Sequence, residues 1–177
     1  MTFVYDSVST PFGDAIAVFS DRGLVMLDLS HAHEPEVPWL LEGITRRLGD
    51  VPHHESGRAA ELDALMQRYF AGEAVTIGEH LALDWQLVRG FTRDALQSIL
   101  TIPWGETASY GEVAVLAGSP GAARAVGSAC RNVPFSIVVP VHRVVRHDGT
   151  PGLYGAHPEY KRFMLALETR GATASHG

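Results

Sequence analysis

"SYGEVAVLAGSPGAARAVGSACRN", Ser109 to Asn132, holds two short helical patterns with a turn between them. Ser109 and Glu112 are spaced as a capping box, each satisfying the other's orphan backbone donor, so a helix is predicted to start at Tyr110. Gly118 and its neighbours interrupt the pattern. Ser119-Pro120 then sets an N-cap residue before a proline at a first helical position, which predicts a second helix opening through "GAARAVGSACR". Two short helices on a tight glycine turn fit a helix-turn-helix, and they fit an ordinary helical hairpin as well.

Working outward, "FSIVVP" and "VHRVV" downstream are rich in β-formers, and Asp148-Gly149 marks a tight turn or wing. The last helix, "PEYKRFMLALETRG", is expected to bury Tyr160, Phe163, Met164 and Leu167, with Glu168 bordering that stripe. Upstream, Phe91, Ala95 and Ile99 recur at helical spacing, and Pro103 and Gly105 end that helix. Before it, "FVYDSV", "AIAVFS" and "LVMLDL" read as a meander of strands joined by turn residues. "WLLEGITRRLG" is helical and ends at Gly49. "DVPHHE" reads as a loop, and Ser56 as the N-cap of a helix whose buried face carries Leu62, Leu65, Met66 and Tyr69. "AVTIGEHLALDWQLV" reads as an extended connection. The pattern predicts a mixed α/β (α+β) chain in two units, residues 1–84 and 85–177.

The composition, 46% hydrophobic and 19% charged over 177 residues, is that of a globular protein with enough core to fold unaided. No apolar run approaches the ~20 residues of a membrane span, and the N-terminus lacks a secretory pattern, so no membrane partner and a cytoplasmic location are expected. One cysteine, Cys130, excludes an internal disulfide and a multi-cysteine metal site. The net charge of −6 is unevenly spread: residues 1–89 carry 14 acids and 6 bases, residues 90–177 carry 6 acids and 8 bases. The acidic half repels a polyanion, whereas the second half accepts one if its arginines share a face.

Chemistry concentrates near "VVPVHRVV", Val138 to Val145. A carboxylate beside a buried stripe needs a partner, and His142 is the natural one for Glu168. Such a pair is either a structural ion pair or the base of a nucleophilic site, and the residue beside it, Val141, has no ionisable group. Cys130 lies six residues along the helix from Arg124, about 120° away from it. It is expected to pack inward instead of acting as a nucleophile. His31, His33, His53 and His54 could clamp zinc if their loops met, but nothing fixes their geometry; neither metal nor cofactor is assigned.

The segments "IPWGETASYGEVA", "GAARAVGSACRN", "IVVPVHRVV", "GLYG…K" and "LALE" resemble the methylated-DNA–protein-cysteine methyltransferases over roughly residues 85–170. The N-terminal half is more weakly similar to that family's ribonuclease-H-like domain. The resemblance implies a C-terminal winged helix-turn-helix that enters the minor groove and flips an O6-alkylguanine into a pocket. A thiolate made by a glutamate–histidine–water–cysteine relay then takes the alkyl group. By position, His142 and Glu168 match the relay, and Val141 replaces the cysteine. Arg124 matches the arginine finger, and Tyr110 the tyrosine on the phosphate and flipped base. Ser128 and Arg131 join them on the DNA side. Tyr110, Pro140, Val141, Val144, Tyr154 and Gly155 would form the base pocket. The family's Asn-Pro hinge is displaced: Val133 and Pro134 occupy its positions, with Asn132 one step early.

These departures imply an alkyltransferase-like lesion binder, a monomer that holds alkylated duplex DNA without repairing it and passes it to nucleotide-excision repair proteins. In a bacterium it would be associated with the nucleoid. Three other readings stay open: a family methyltransferase whose cysteine was deliberately replaced, a winged-helix regulator indifferent to lesions, and an interaction domain that has lost DNA.

Overall fold

The computed structural model describes residues 1–29, 37–152 and 157–174, and among these it combines small β-sheets with six α-helices. The expected meander is present as β1 (Val4–Thr10), β2 (Gly13–Ser20) and β3 (Gly23–Asp28), antiparallel throughout. Alternation along β2 sends Ala15, Ala17 and Phe19 into the main core. Val18 joins Phe3, Val25, Met26 and Ile44 on the other face. Ile44 comes from α1 (Val37–Leu48), which ends at Gly49 with φ 77°.

The "DVPHHE" segment is not a loop throughout. His53 and His54 form β4, parallel to β1, and the sheet order is β3-β2-β1-β4. The open edge of β1 recruits them: His53 N–H donates to Phe3 O and Glu55 N–H to Tyr5 O, both at 3.0 Å. Ser56 does not cap the next helix. Gly57 turns the chain at φ 83°, and α2 begins later, at Ala60–Phe70. The Asp6 carboxylate of β1 serves that helix start instead, accepting from Ala59 N–H at 3.2 Å. Burial opposes its ionisation, but the backbone N–H groups of Ala59, Ser7 and Gly57 hold the Asp6 carboxyl below its usual range.

The far edge of the sheet is also covered. Leu24 N–H donates to Ala82 O at 2.9 Å and Leu27 N–H to Pro134 O at 2.8 Å, so later segments pair with β3 and blunt an exposed edge. One buried cluster therefore runs from Val8 and Leu27 through Tyr69 and Ile99 to Val141 and Met164. The connection after α2 is less extended than predicted, with 3-10 turns at Ile77–Glu79 and Trp85–Leu87.

Helices α3 (Gly90–Leu100), α4 (Tyr110–Leu116) and α5 (Ala123–Arg131) pack on one another. The capping box forms as expected: Glu112 N–H donates to Ser109 Oγ at 3.1 Å, and Ser109 N–H to Glu112 Oε2 at 2.6 Å. The second helix starts three residues later than predicted. Ser119-Pro120-Gly121-Ala122 instead closes a β-turn, with Ala122 N–H on Ser119 O at 3.1 Å and Gly121 at φ 86°. Proline followed by a positive-φ glycine is type II turn chemistry, and it outcompetes the helix start.

"FSIVVP" does not form a strand. It makes an isolated bridge between Phe135 and Leu27 and two tight backbone closures, Val138 N–H to Ser136 O and Val141 N–H to Val139 O. Ile137 takes φ 67°, a rare conformation for a β-branched residue. Burial on all sides overrides β-propensity here. After a 3-10 turn at Val141–Arg143, β6 (Val144–Val145) pairs in parallel with β5 (Ala108–Ser109). Helix α6 (Pro158–Ala174) buries Tyr160, Met164 and Glu168, an i, i+4, i+8 line. Phe163 lies beside that line and is 41% exposed, contrary to expectation. Among the described residues no helix is long and apolar enough to cross a membrane.

Replacing Ser109 with alanine removes half of the capping box without disturbing the core. We expect a loss of ~1 kcal/mol in urea unfolding with an unchanged slope. An effect below a few tenths would show that α4 is held by packing alone.

Candidate functional site

The expected histidine–glutamate pair exists, and it lies inside a larger buried centre. His142 and Arg143 are fully buried on the 3-10 turn, and Glu168 on α6 is 2% exposed. His142 Nε2 lies 2.6 Å from Glu168 Oε1. An ionised carboxylate can only accept, so Nε2 carries the proton and Nδ1 is the bare acceptor. Nδ1 is buried with no partner among the described residues.

Arg143 and Tyr69 complete the centre, and the sequence reading missed both. Arg143 Nε donates to Glu168 Oε2 at 3.0 Å and Nη2 to Oε1 at 3.1 Å. Its Nη1 donates to Thr76 Oγ1 at 2.8 Å and to the Ile102 carbonyl at 2.6 Å. The Tyr69 hydroxyl of α2 donates to Glu168 Oε1 at 2.8 Å and lies 3.1 Å from His142 Nε2. Gly105 N–H adds a donor to Oε2 at 3.2 Å. Both missed residues carried a signal. An arginine among valines needs a carboxylate, and a tyrosine ending an apolar stripe needs a partner for its hydroxyl.

Burial alone would raise the Glu168 carboxyl, but the hydrogen bonds from His142 and Arg143, with the Arg143 charge, outweigh it and hold the group at about 2. Burial pushes the His142 imidazole down from its ordinary 6.5, against the pull of Glu168. The centre is therefore a neutral histidine beside a charged Glu168–Arg143 pair.

Val141 sits against this centre and is 1% exposed. Pro140 and Val144 are buried as well. Tyr154 and Gly155, expected as pocket walls, lie outside the described residues, as do His31 and His33. No group of three metal-ligating side chains occurs among the described residues.

The expected DNA-side residues do converge. Tyr110 opens α4, and Arg124, Ser128 and Arg131 share one face of α5; together they line an open groove of about 550 Å³. Arg146 and Gly152 close its other side. Arg146 was not anticipated, although its place at the base of the Asp148-Gly149 turn aims it there: its N–H donates to Thr150 O at 2.9 Å and closes that turn. Gly152 has no room for a side chain, since a Cβ would lie 2.1 Å from the Tyr110 hydroxyl. Burial raises the Tyr110 phenol above its usual value. Behind the groove, Lys161 donates to the Val144 carbonyl, and burial brings its ammonium down to about 8.

Cys130 faces the core, as its helical angle from Arg124 implied. Burial pushes its thiol up to about 12, so it is not a thiolate at neutral pH. Asn132 turns back on its own helix, donating to Ser128 O at 2.9 Å, and makes no side-chain bond to the 137–141 segment.

Fold and site thus define a mixed α/β protein with an arginine-lined groove and a buried histidine–carboxylate centre. Residues 90–170 match the family model described as 6-O-methylguanine DNA methyltransferase, DNA binding domain. The methylated-DNA–protein-cysteine methyltransferase of Mycolicibacterium paratuberculosis is 44% identical over 175 residues, covering 97% of this chain and 95% of that one. The O6-methylguanine methyltransferase structure from Mycobacterium tuberculosis superposes with a TM-score of 0.76 at 33% identity, covering 96% of this chain and 94% of that one. The Mycobacterium tuberculosis OGT structure in complex with DNA gives 0.75 at 31%, covering 94% and 93%. The chain belongs to the methylated-DNA–protein-cysteine methyltransferase family.

The two depressed pKa values fix a pH dependence. Both native values lie below the ordinary 6.5 and 4.5, so the unfolded chain binds more protons on acidification. Stability should be full above the histidine's ordinary value, decline as pH falls through it, and decline again from 4.5 towards about 2 as Glu168 protonates. Urea titrations from neutral pH to about pH 3 measure this. Glu168→Gln should cost ~3–5 kcal/mol at neutral pH by stranding Arg143, and should flatten the acid limb.

Proposed function

We propose that this protein binds duplex DNA carrying O6-alkylguanine and holds the lesion without taking its alkyl group. The carrying observation is Val141. It occupies the family's nucleophile position beside an otherwise complete His142–Glu168 centre, and an aliphatic side chain cannot attack carbon. In this reading residues 1–84 are a ribonuclease-H-like unit and residues 85–177 a winged helix-turn-helix with α5 as the reading helix. Arg124 fills the gap left by the flipped base, Tyr110 presses on the backbone and the base, and Ser128 and Arg131 contact phosphate. Pro140, Val141, Val144, Tyr154 and Gly155 form the pocket once it opens. The relatives in hand include one crystallised with DNA, and the arginine-lined groove suits such a partner. The protein then acts as a monomeric lesion sensor in the cytoplasm, on the nucleoid in a bacterium, and hands the site to nucleotide-excision repair proteins.

One observation favours a second reading. Val141 is 1% exposed, which suits a winged-helix binder that uses its surface arginines and takes no base at Val141. Binding to methylated and plain duplexes separates the two.

We expect tighter binding to an O6-methylguanine duplex than to its unmodified counterpart. Arg124→Ala should weaken the methylated complex more, because a filled gap recovers part of the few kcal/mol of unstacking. Dissociation constants at one salt concentration measure this. Equal losses on both duplexes, or no lesion preference in the native protein, would give the second reading the lead.

A further inference from the structure

A second cationic cleft lies away from the α5 groove and shares no residue with it. Arg22, Asp84, Trp85, Gln86, Arg89 and Arg93 frame an open space of about 320 Å³, at the small end of ligand-binding clefts. The arginines come from the β2–β3 turn, the residue before α3 and the first turn of α3. Arg22 and Arg89 are two of only six basic residues in the acidic first half of the chain.

The cleft is organised by one carboxylate. Asp84, 5% exposed, accepts from Ser20 Oγ at 2.6 Å, Arg22 Nε at 3.2 Å and Gln86 Nε2 at 2.8 Å. Its role is thereby fixed as the orienter of Arg22, whose Nη groups make no hydrogen bond to an oxygen among the described residues. Arg89 and Arg93 are exposed, and their guanidinium groups have no ion-pair or hydrogen-bond partner among the described residues. Asp21 and Asp94 adjoin two of the arginines in sequence, but neither lines the cleft. Three guanidinium groups thus face one carboxylate that is already engaged. Trp85 is anchored edge-on against Phe135, ring centroids 5.0 Å apart, and gives the cleft a fixed apolar floor.

From this juxtaposition we propose that the Arg22–Arg89–Arg93 cleft is a phosphate-binding site, occupied by a backbone phosphate of DNA beyond the stretch that α5 contacts. Guanidinium forks match phosphate oxygens in pairs, which favours phosphate over a spherical anion. The arginines dominate the cleft's polar lining: the Gln86 amide nitrogen is spent on Asp84, and the space is open. Recognition limited to phosphate on an open surface suits a polymer passing by better than an enclosed nucleotide. Because α3 carries the site and packs on α5, a phosphate held here braces the helix that lines the main groove. The assignment to DNA rests on the proposed function; the assignment to phosphate does not.

The test uses the native protein and the exposed double variant Arg89→Ala/Arg93→Ala. Titrating inorganic phosphate under NMR observation should shift the amides of residues 89–93 saturably in the native protein and leave the variant unmoved. Salt dependence is then measured on a duplex limited to the α5 footprint and on one about two helical turns longer. The variant should lose about two units of slope on the long duplex and none on the short one. Arg131→Ala should lose about one unit on both; if it does not, the DNA reading fails while the phosphate titration still stands. Saturable phosphate shifts with no slope change on either duplex keep the site and assign it to a free phosphate. No saturable shift and no slope change overturn the proposal, as does an equal slope loss on both duplexes, which would make these arginines part of the α5 footprint.

Discussion

The Glu168 carboxylate gathers a hydroxyl from α2, an imidazole and a guanidinium from the 141–143 turn, and a backbone N–H from the loop before β5. Three separate stretches of chain are fixed against α6 by one buried anion, and Arg143 extends the grip to Thr76 and Ile102. Burying an ion is costly, and removing one partner strands the other. That asymmetry makes such a centre a structural necessity whatever residue stands beside it. The network pins the turn on which Val141 sits. The presence of His142 and Glu168 is therefore no argument for transfer, and the structural and catalytic readings of the pair coincide in one geometry.

Much of this was legible in the sequence because local rules and tertiary demands agree there. The meander, the capping box at Ser109, the inward Cys130 and the shared face of Arg124 and Arg131 follow from spacing alone. Where the reading fails, a competing constraint dominates. Pro120-Gly121 obeys turn chemistry before helix capping, Asp6 replaces Ser56 at the start of α2, and Ile137 bends a stretch of β-formers. The roles of Tyr69, Thr76 and Arg143 were hidden for a different reason: they depend on contacts up to 99 residues apart along the chain. No periodicity encodes such a distance.

The two layers of the site divide the work. The groove is exposed and cationic, and suits an anionic polymer; the Glu168 centre is buried and nearly neutral apart from one satisfied ion pair. The chain's one cysteine, Cys130 on α5, packs against the core, where burial pushes its thiol up to about 12. Asn132 is tied to its own helix, and the 141–143 turn is held by the buried centre together with β5–β6 pairing and the Lys161 bond to the Val144 carbonyl.

The central claim is retention without transfer, and intact-mass spectrometry of the protein after incubation with an excess of O6-methylguanine duplex tests it most directly. We expect the native mass to be unchanged while the lesion remains in the recovered DNA. Stoichiometric gain of one methyl group by the protein, on any residue, would contradict it.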